Sequence, residues 1–505
     1  MHFLSWPTVL ISLIGCIITV VIYRGFFHPL VGVPGPFLAK ITTAYQSYYN
    51  RRYYKKIGEL HEQYGPVICI APGEVHLSDP GNYDKIYNVG SKYEKSGNLY
   101  NAVCIPHSSF STLSNELHKH KRAMLNPMFS RRMVLNLEEV VQDKARKLVT
   151  LTERGVSDQE PIDLHHAFRC VSVDVITDYA FDKSYNLLDT SDLGAHFFAI
   201  ARGIGPVLWA FQQVPQLVSI ALTIPAWLAP ILSTPLNQVL RLKGEGAKQI
   251  EDVKARIAAG KIGDSRPTIF SELLDPSKTD GWPVPTTDML QDEAYSILVA
   301  AADTTGNAMT TAAFHVMSNA AIYAKLHIEL EEAFPDPQAQ LDFVTLERLP
   351  YLTGVIKESL RLSFGVIGRL SRVVPEPGEC FNGYNLPAGN IVGMSSWTMH
   401  RDLEAFGPDP MTFNPERWMD PAKTRRLERY MVPFSRGTRQ CVGMILAYCE
   451  LYVTLGTFFR RFSGDRALTV WKTTARDFEY DDFFSSYQVN GRNWLKAIGL
   501  GVELA

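Results

Sequence analysis

Ten residues near the C-terminus, Phe434-Ser435-Arg436-Gly437-Thr438-Arg439-Gln440-Cys441-Val442-Gly443, constrain this chain more than any other stretch. They read as a tight loop running into a helical pattern over Val442 to Phe459. Gly437 permits a turn that a side chain would forbid, and Gly443 lets a bulky planar group approach. Cys441 stands at the N-terminal end of the expected helix, where free N–H groups and the helix dipole favour a thiolate over a thiol. Arg439, two residues earlier, is a cation suited to a carboxylate. A lone cysteine is ordinarily a buried structural thiol, and Cys449, about two turns further on, reads that way. For Cys441 the long pattern Phe-x-x-Gly-x-Arg-x-Cys-x-Gly argues instead for a ligand.

The opposite end is apolar. No charged residue lies between Phe3 and Tyr23, and Val9 to Ile22 is almost wholly aliphatic. That is near the minimum for crossing a bilayer, about 17 to 20 residues. A cleavable signal peptide is the competing reading, but a basic leader and a small-x-small cleavage site are both missing. The expected layout is a membrane anchor over 1–24, a proline-rich hinge over 25–40 and a catalytic body over 41–505. His28-Pro29-Leu30 and Pro34-Gly35-Pro36 should make that hinge stiff and extended, since proline fixes φ and cannot continue a helix. Arg24 behind the anchor and the lack of any Asn-x-Ser/Thr sequon suit a body on the cytosolic side.

Composition excludes little but does exclude something. A net charge of −2 without a long run of one sign is unlike a nucleic-acid binder, whose phosphate contacts need a concentrated basic surface. The odd number of cysteines, seven, without a Cys-x-x-Cys, argues for reduced thiols rather than a disulfide framework. Helical spacing covers Met133 to Leu151, Asp288 to Ala321 and Leu346 to Leu362. Strand-like runs are short: Val67 to Ile70, Val75 to Leu77 and Ile391 to Met394. The expected class is therefore mainly α with a small β component. Gly203 to Leu240 lacks charge yet carries prolines at 206, 215, 225, 230 and 235. Such breaks facing lipid rule against a second span. A buried helical pair, or an element dipping into the membrane interface with Trp209 and Trp227 at the headgroups, both remain open.

With these pieces in view, the chain resembles the cytochrome P450 family. Glu358-Ser359-Leu360-Arg361 looks like the family's Glu-x-x-Arg element, whose side chains share a helix face. Phe413 to Trp418 resembles the segment whose arginine, here Arg417, completes that pair as a structural network behind the haem. Ala300-Ala301-Ala302-Asp303-Thr304-Thr305 resembles the oxygen-activating motif, with Ala301 where the family often has glycine. An acid inside that apolar stretch would be expensive without a task. Asp303 and Thr304 are accordingly expected beside the distal face of the iron, relaying protons to dioxygen. His118 to Arg122 looks like the family's Trp-x-x-x-Arg propionate clamp, with His118 in place of tryptophan. Arg372 matches a further propionate-binding arginine, with Arg369 close by. The resemblance thus implies haem b held by Cys441 as metal ligand, with Phe434, Gly437, Arg439 and Gly443 around it.

The family fold, with an N-terminal transmembrane helix, would follow, and so would a monooxygenase that inserts one atom of O2 into a hydrophobic small molecule. Tyr23 to Lys40, His118 to Ser130 and Gly368 to Pro375 look like fungal secondary-metabolism members of the trichodiene-oxygenase type. A terpenoid or polyketide substrate is implied, with a pocket lined by Asn98 to Phe110, Ala300 to Thr305 and Phe364 to Ile367. Without a flavin or nicotinamide fingerprint, electrons should come from an NADPH-dependent cytochrome P450 reductase at the endoplasmic reticulum membrane. Two rivals are a haem-thiolate isomerase or dehydratase that consumes no O2, and a non-catalytic haem-binding membrane protein. The pair Asp303–Thr304 counts against both.

Overall fold

The computed structural model describes residues 6–225, 227–232, 234–260, 266–278, 283–488 and 495–499. The first residues of the expected anchor, Met1 to Ser5, lie outside these, as do Ala226 and Ser233 of the uncharged stretch. Trp6–Ile22 is a single α-helix, extended by a π-turn over Tyr23–Phe27, and almost all of it is exposed. It is long and apolar enough to cross a bilayer. The segment behind it is not extended as its prolines suggest. It folds into turns because Leu30 and Val33 bury their side chains in the core of the small sheet. Gly35, at φ +142°, passes so close to the Cys69 backbone that no side chain would fit, and the Cys69 N–H donates to the Pro34 carbonyl at 2.7 Å.

The body is mainly helical. Its axis is the 31-residue helix Thr287–Met317, most of whose side chains are buried. The expected helix to Ala321 stops early because Asn319 turns the chain: its side chain accepts from the N–H groups of Ala321 and Ile322 and starts Ala320–Ala333. Against the axial helix packs Leu164–Phe181, with all but one residue buried. Gly306 sets their approach, since an added Cβ would strike the Arg169 side chain and backbone. Arg131–Ser157 and Met444–Arg461 pack on one another, and Pro350–Ser363 lies along the axial helix. Pro350 occupies the first turn of that helix and explains why it does not begin at Leu346.

A five-stranded sheet stands beside the helices, in the order Val67–Ala71, Glu74–Leu77, Ile391–Gly393, Arg372–Val373, Glu94–Lys95. Only the Glu74–Leu77/Ile391–Gly393 pair is parallel. The last pair sets Lys95 directly opposite Arg372. A hairpin of Tyr480–Phe483 and Ser485–Gln488 reaches back towards the axial helix. The uncharged stretch resolves into Ile204–Gln213, Gln216–Thr223 and Ala229–Leu232, leading into Thr234–Ala258. It is not a fully buried pair, since part of it lies at the surface. Ile204, Leu208, Phe211 and Val218 face the core, while Leu217, Ile220, Leu222, Trp227 and Ile231 are exposed.

Candidate functional site: a cavity walled by a cysteine

Phe434 to Gly443 forms the expected loop. The Cys441 N–H donates to the Phe434 carbonyl at 2.9 Å and closes it, and the Phe434 ring packs on Tyr448. Gly437 takes φ +70° with the Asn88 backbone against it, so any side chain there is both strained and obstructed. Gly443 has open space where a Cβ would stand. The helix itself begins at Met444, so Cys441 precedes it rather than opening it. Desolvation pushes the Cys441 thiol up even though the residue is open to the cavity, while the Gly443 N–H and Arg122 act against that. The expected thiolate is therefore not the work of the helix end alone; a coordinating metal ion removes that proton outright.

Cys441 lines a cavity of about 350 Å³ together with His118, Arg122, Thr304 and the Phe483–Phe484 turn. Four basic side chains line it, Lys95, Arg122, Arg372 and Arg439, with burial and the three guanidiniums pushing Lys95 well below its ordinary value until an anion answers them. Lys95 donates to the Phe110 carbonyl at 2.5 Å and lies over the Tyr100 and Phe110 rings. Arg122 donates to the Gln440 carbonyl at 3.0 Å, and Arg372 to the Tyr100 hydroxyl at 2.8 Å. Arg439 donates to the carbonyls of Thr112 and Leu113, both at 2.7 Å. None of the four pairs with a carboxylate within 4.0 Å among the described residues. Burial and these cations depress His118 to about 2, and its Nδ1 has no partner among the described residues. Like charges facing each other across a sheet are destabilising, as Lys95 and Arg372 do here. A group carrying two carboxylates would answer all of this, and the haem propionates fit. Lys95 had escaped the sequence reading, because a lysine in a two-residue strand carries no motif.

Thr304 faces the cavity, with its hydroxyl donating to the Ala300 carbonyl at 2.9 Å. Asp303 does not. Its carboxylate is clamped by Arg169 Nε at 2.8 Å and Arg202 Nη2 at 2.8 Å, in the interior beside the cavity rather than on its wall. Burial pushes this acid up, but the two guanidiniums overcome it and hold the acid at about 2. The acid's place in an apolar stretch is thus explained by two arginines that its own helix does not reveal.

Behind the cavity, Glu358 and Arg361 are fully buried, bonded at 2.6 and 2.9 Å. Arg361 also donates to the carbonyls of His400, Pro410 and Thr412. Arg417 Nε stands 3.8 Å from Glu358, and its other nitrogens donate to the carbonyls of Phe406 and Asp409. Trp418 Nε1 and the Asn414 N–H, which sequence reasoning passed over, complete the Glu358 shell at 2.9 and 3.0 Å. Arg369, the neighbour of Arg372, is spoken for by Glu74 at 2.6 Å. Of Phe364 to Ile367, Gly365 and Val366 reach the cavity, whereas Phe364 and Ile367 pack with Trp397 and Tyr54.

A helical body that brings one cysteine sulfur, a threonine-bearing helix and a ring of cations to the same cavity defines a haem-thiolate protein. The cytochrome P450 family model matches residues 31–472, and the chain belongs to that family. A cytochrome P450 monooxygenase of Ascocoryne sarcoides is 36% identical, with 93% of this chain and 94% of the relative covered. The conidiogenone synthase of Penicillium rubens is 35% identical, with 88% and 89% covered. The N-acetyltryptophan 6-hydroxylase of Emericella nidulans is 31% identical, with 99% and 98% covered. The chain is a P450 monooxygenase of the fungal secondary-metabolism kind, its cofactor is haem b, and such enzymes draw electrons from a reductase partner.

Proposed function

We propose that this enzyme hydroxylates a hydrophobic terpenoid or polyketide at the endoplasmic reticulum membrane, with electrons from an NADPH-dependent cytochrome P450 reductase. Haem b supplies the chemistry of oxygen activation and insertion. Cys441 ligates its iron and Gly443 leaves room for its plane. Phe434 shields the sulfur, while Gly437 lets the loop turn. Arg122, Arg372, Arg439 and His118 hold the propionates, with His118 Nδ1 as a donor if that nitrogen carries the proton. Glu358, Arg361 and Arg417 stiffen the wall behind the cysteine loop without touching the reacting atoms. Thr304 holds a proton at the cavity face. Asp303, behind it, passes protons only when an arginine lets go.

The observation that carries this reading is the joint presence of Cys441, Thr304 and the unanswered cations on one cavity. An intact threonine at the cavity wall favours oxygenation over an isomerase that uses no O2. The residues after the anchor support a membrane site, with 25–40 acting as a docked connector to the 41–505 body. Ser47 donates to Gln213 at 2.7 Å, tying the chain behind the anchor to the helix that leads into the exposed Leu217, Ile220, Leu222, Trp227 and Ile231. That surface would rest on lipid. The test is the carbon-monoxide difference spectrum of the reduced protein, wild type beside Cys441→Ala. A strongly red-shifted Soret band in the wild type alone is expected; the same band in both proteins removes Cys441 as the ligand.

A further inference from the structure

The cavity has two chemically different ends. All four lining basic side chains, with His118 beside them, gather near the Cys441 loop, the Arg372 strand and the Asn115–Leu125 helix. Along the axial helix, Ser296, Ala300 and Thr304 recur every fourth residue and form one strip that lines the cavity. Ala300, in the middle, is exposed, and Ser296 and Thr304 are half-buried on either side of it. Ser296 stands eight residues before Thr304, about 12 Å along the helix axis. Its helix neighbours on the wall, Ile297 and Val299, are apolar. Thr304, Thr310 and Thr311 of the same helix return their hydroxyls to the carbonyl four residues back. Ser296 does not: its hydroxyl has no partner among the described residues, and the half-buried side chain leaves it open to the cavity.

We propose that Ser296 Oγ is the polar anchor of the substrate, and that the substrate is an apolar skeleton carrying a neutral oxygen, a hydroxyl or carbonyl, at the end remote from the carbon attacked. This rests on the monooxygenase reading and narrows its substrate class. A serine hydroxyl donates one hydrogen bond and accepts others, so it can meet either kind of oxygen. A few placed polar groups in an apolar wall are what fix a ligand's orientation. Other lining groups are already engaged: Ser109 with Glu293, Glu450 with Ser172, Ser396 with the Val366 carbonyl and Ser485 with Tyr487. Towards the Cys441 loop, Tyr83 bonds Ser435, Tyr100 bonds Arg372 and Gln440 bonds Met444. Ser363, 1% exposed, is all but closed off. The Tyr295 hydroxyl is unpaired but shut away, half a turn round the helix from Thr304. Thr305 is the remaining rival, 8% exposed, with no hydroxyl partner among the described residues. It is one residue from Thr304, about 1.5 Å along the axis, so it stands level with that hydroxyl and not at the remote end. A charged group beside Ser296 would be buried without a counter-charge, because the lining basic side chains lie at the other end and the propionates answer them. An earlier oxygenation, or a cyclisation quenched by water, must then supply this enzyme's substrate.

The test uses the full-length holoenzyme and matched probes of one skeleton: valencene against nootkatone, and ent-kaurene against ent-kaurenol, titrated by the Soret spin-state shift. Wild type should bind at least one oxygenated member about tenfold tighter than its hydrocarbon, equivalent to about 1.4 kcal/mol. Ser296→Ala should bring that ratio near one by weakening the oxygenated member alone, with the carbon-monoxide band intact. Thr305→Val should leave the ratio in place. Ligand-free Ser296→Ala should melt at the wild-type temperature or above, because alanine is the better helix former. Equal or absent binding of both members of each pair, or a preference that survives in Ser296→Ala, would overturn the proposal. A preference lost in Thr305→Val instead would move the anchor to that residue and overturn it equally. So would a clear drop in the melting temperature of Ser296→Ala, which would mean the hydroxyl serves the fold. A wild type lacking the thiolate band would sink the monooxygenase reading itself, and this proposal with it.

Discussion

Cys441 and Thr304 line one cavity, yet their substitutions should fail differently. Cys441→Ala removes the only sulfur lining that cavity among the described residues, and the reduced carbon-monoxide band should vanish. Thr304→Ala should retain that band while diverting severalfold more NADPH into peroxide, measured against product in a reductase-coupled assay. Unchanged coupling would remove the hydroxyl from proton delivery. Asp303→Asn should behave otherwise again. It leaves Arg169, fully buried, and Arg202 without their counter-charge, which costs about 3–5 kcal/mol of stability. A variant as stable as wild type in urea would show that the clamp contributes little. Glu450 gives a pH signature. Enclosed with a single hydroxyl partner, Ser172, it is pushed by burial to about 8 from an ordinary 4.5. Between those values the unfolded chain has released the proton that the folded chain keeps. Stability therefore falls as pH rises from about 4.5 to 8. Glu450→Gln should flatten that slope, gaining a few kcal/mol at pH 8; parallel curves would contradict it.

Elements hold these residues at their stations. The cysteine loop depends on a glycine at φ +70° against the Asn88 backbone, so Gly437→Ala should prevent stable haem uptake by the purified protein. A full haem complement would show that the loop can yield. The axial helix does two jobs on two faces: Thr304 looks into the cavity while Asp303, one residue earlier, joins Leu164–Phe181 to Ala195–Arg202. Successive residues differ by about 100° around a helix, so neighbours in a motif need not share a surface. The same rule lets Glu358 and Arg361, three apart, meet in full burial.

At the scale of the whole molecule, the apolar helix Trp6–Ile22 and the exposed Leu217, Ile220, Leu222, Trp227 and Ile231 are the surfaces proposed to meet lipid. Removing residues 1–27 should leave partial sedimentation with phospholipid vesicles. Serine at Ile220, Leu222 and Trp227 in that shortened chain should abolish it. If both shortened proteins sediment alike, the surface does not meet lipid. What the chain by itself determined is everything carried by local pattern: an N-terminal helix long and apolar enough to cross a bilayer, the mainly helical class, the Cys441 loop and the Glu358–Arg361 pair, because each depends on residues within a few turns of one another. What only the tertiary structure decided is who meets whom across long separations. Lys95 comes to the cavity through its strand partner Arg372, Asp303 is clamped by arginines 134 and 101 residues away, and the proline hinge folds into turns because the sheet buries Leu30. Those outcomes turn on packing and on charge brought close in space, and neither is written in the spacing of a single stretch.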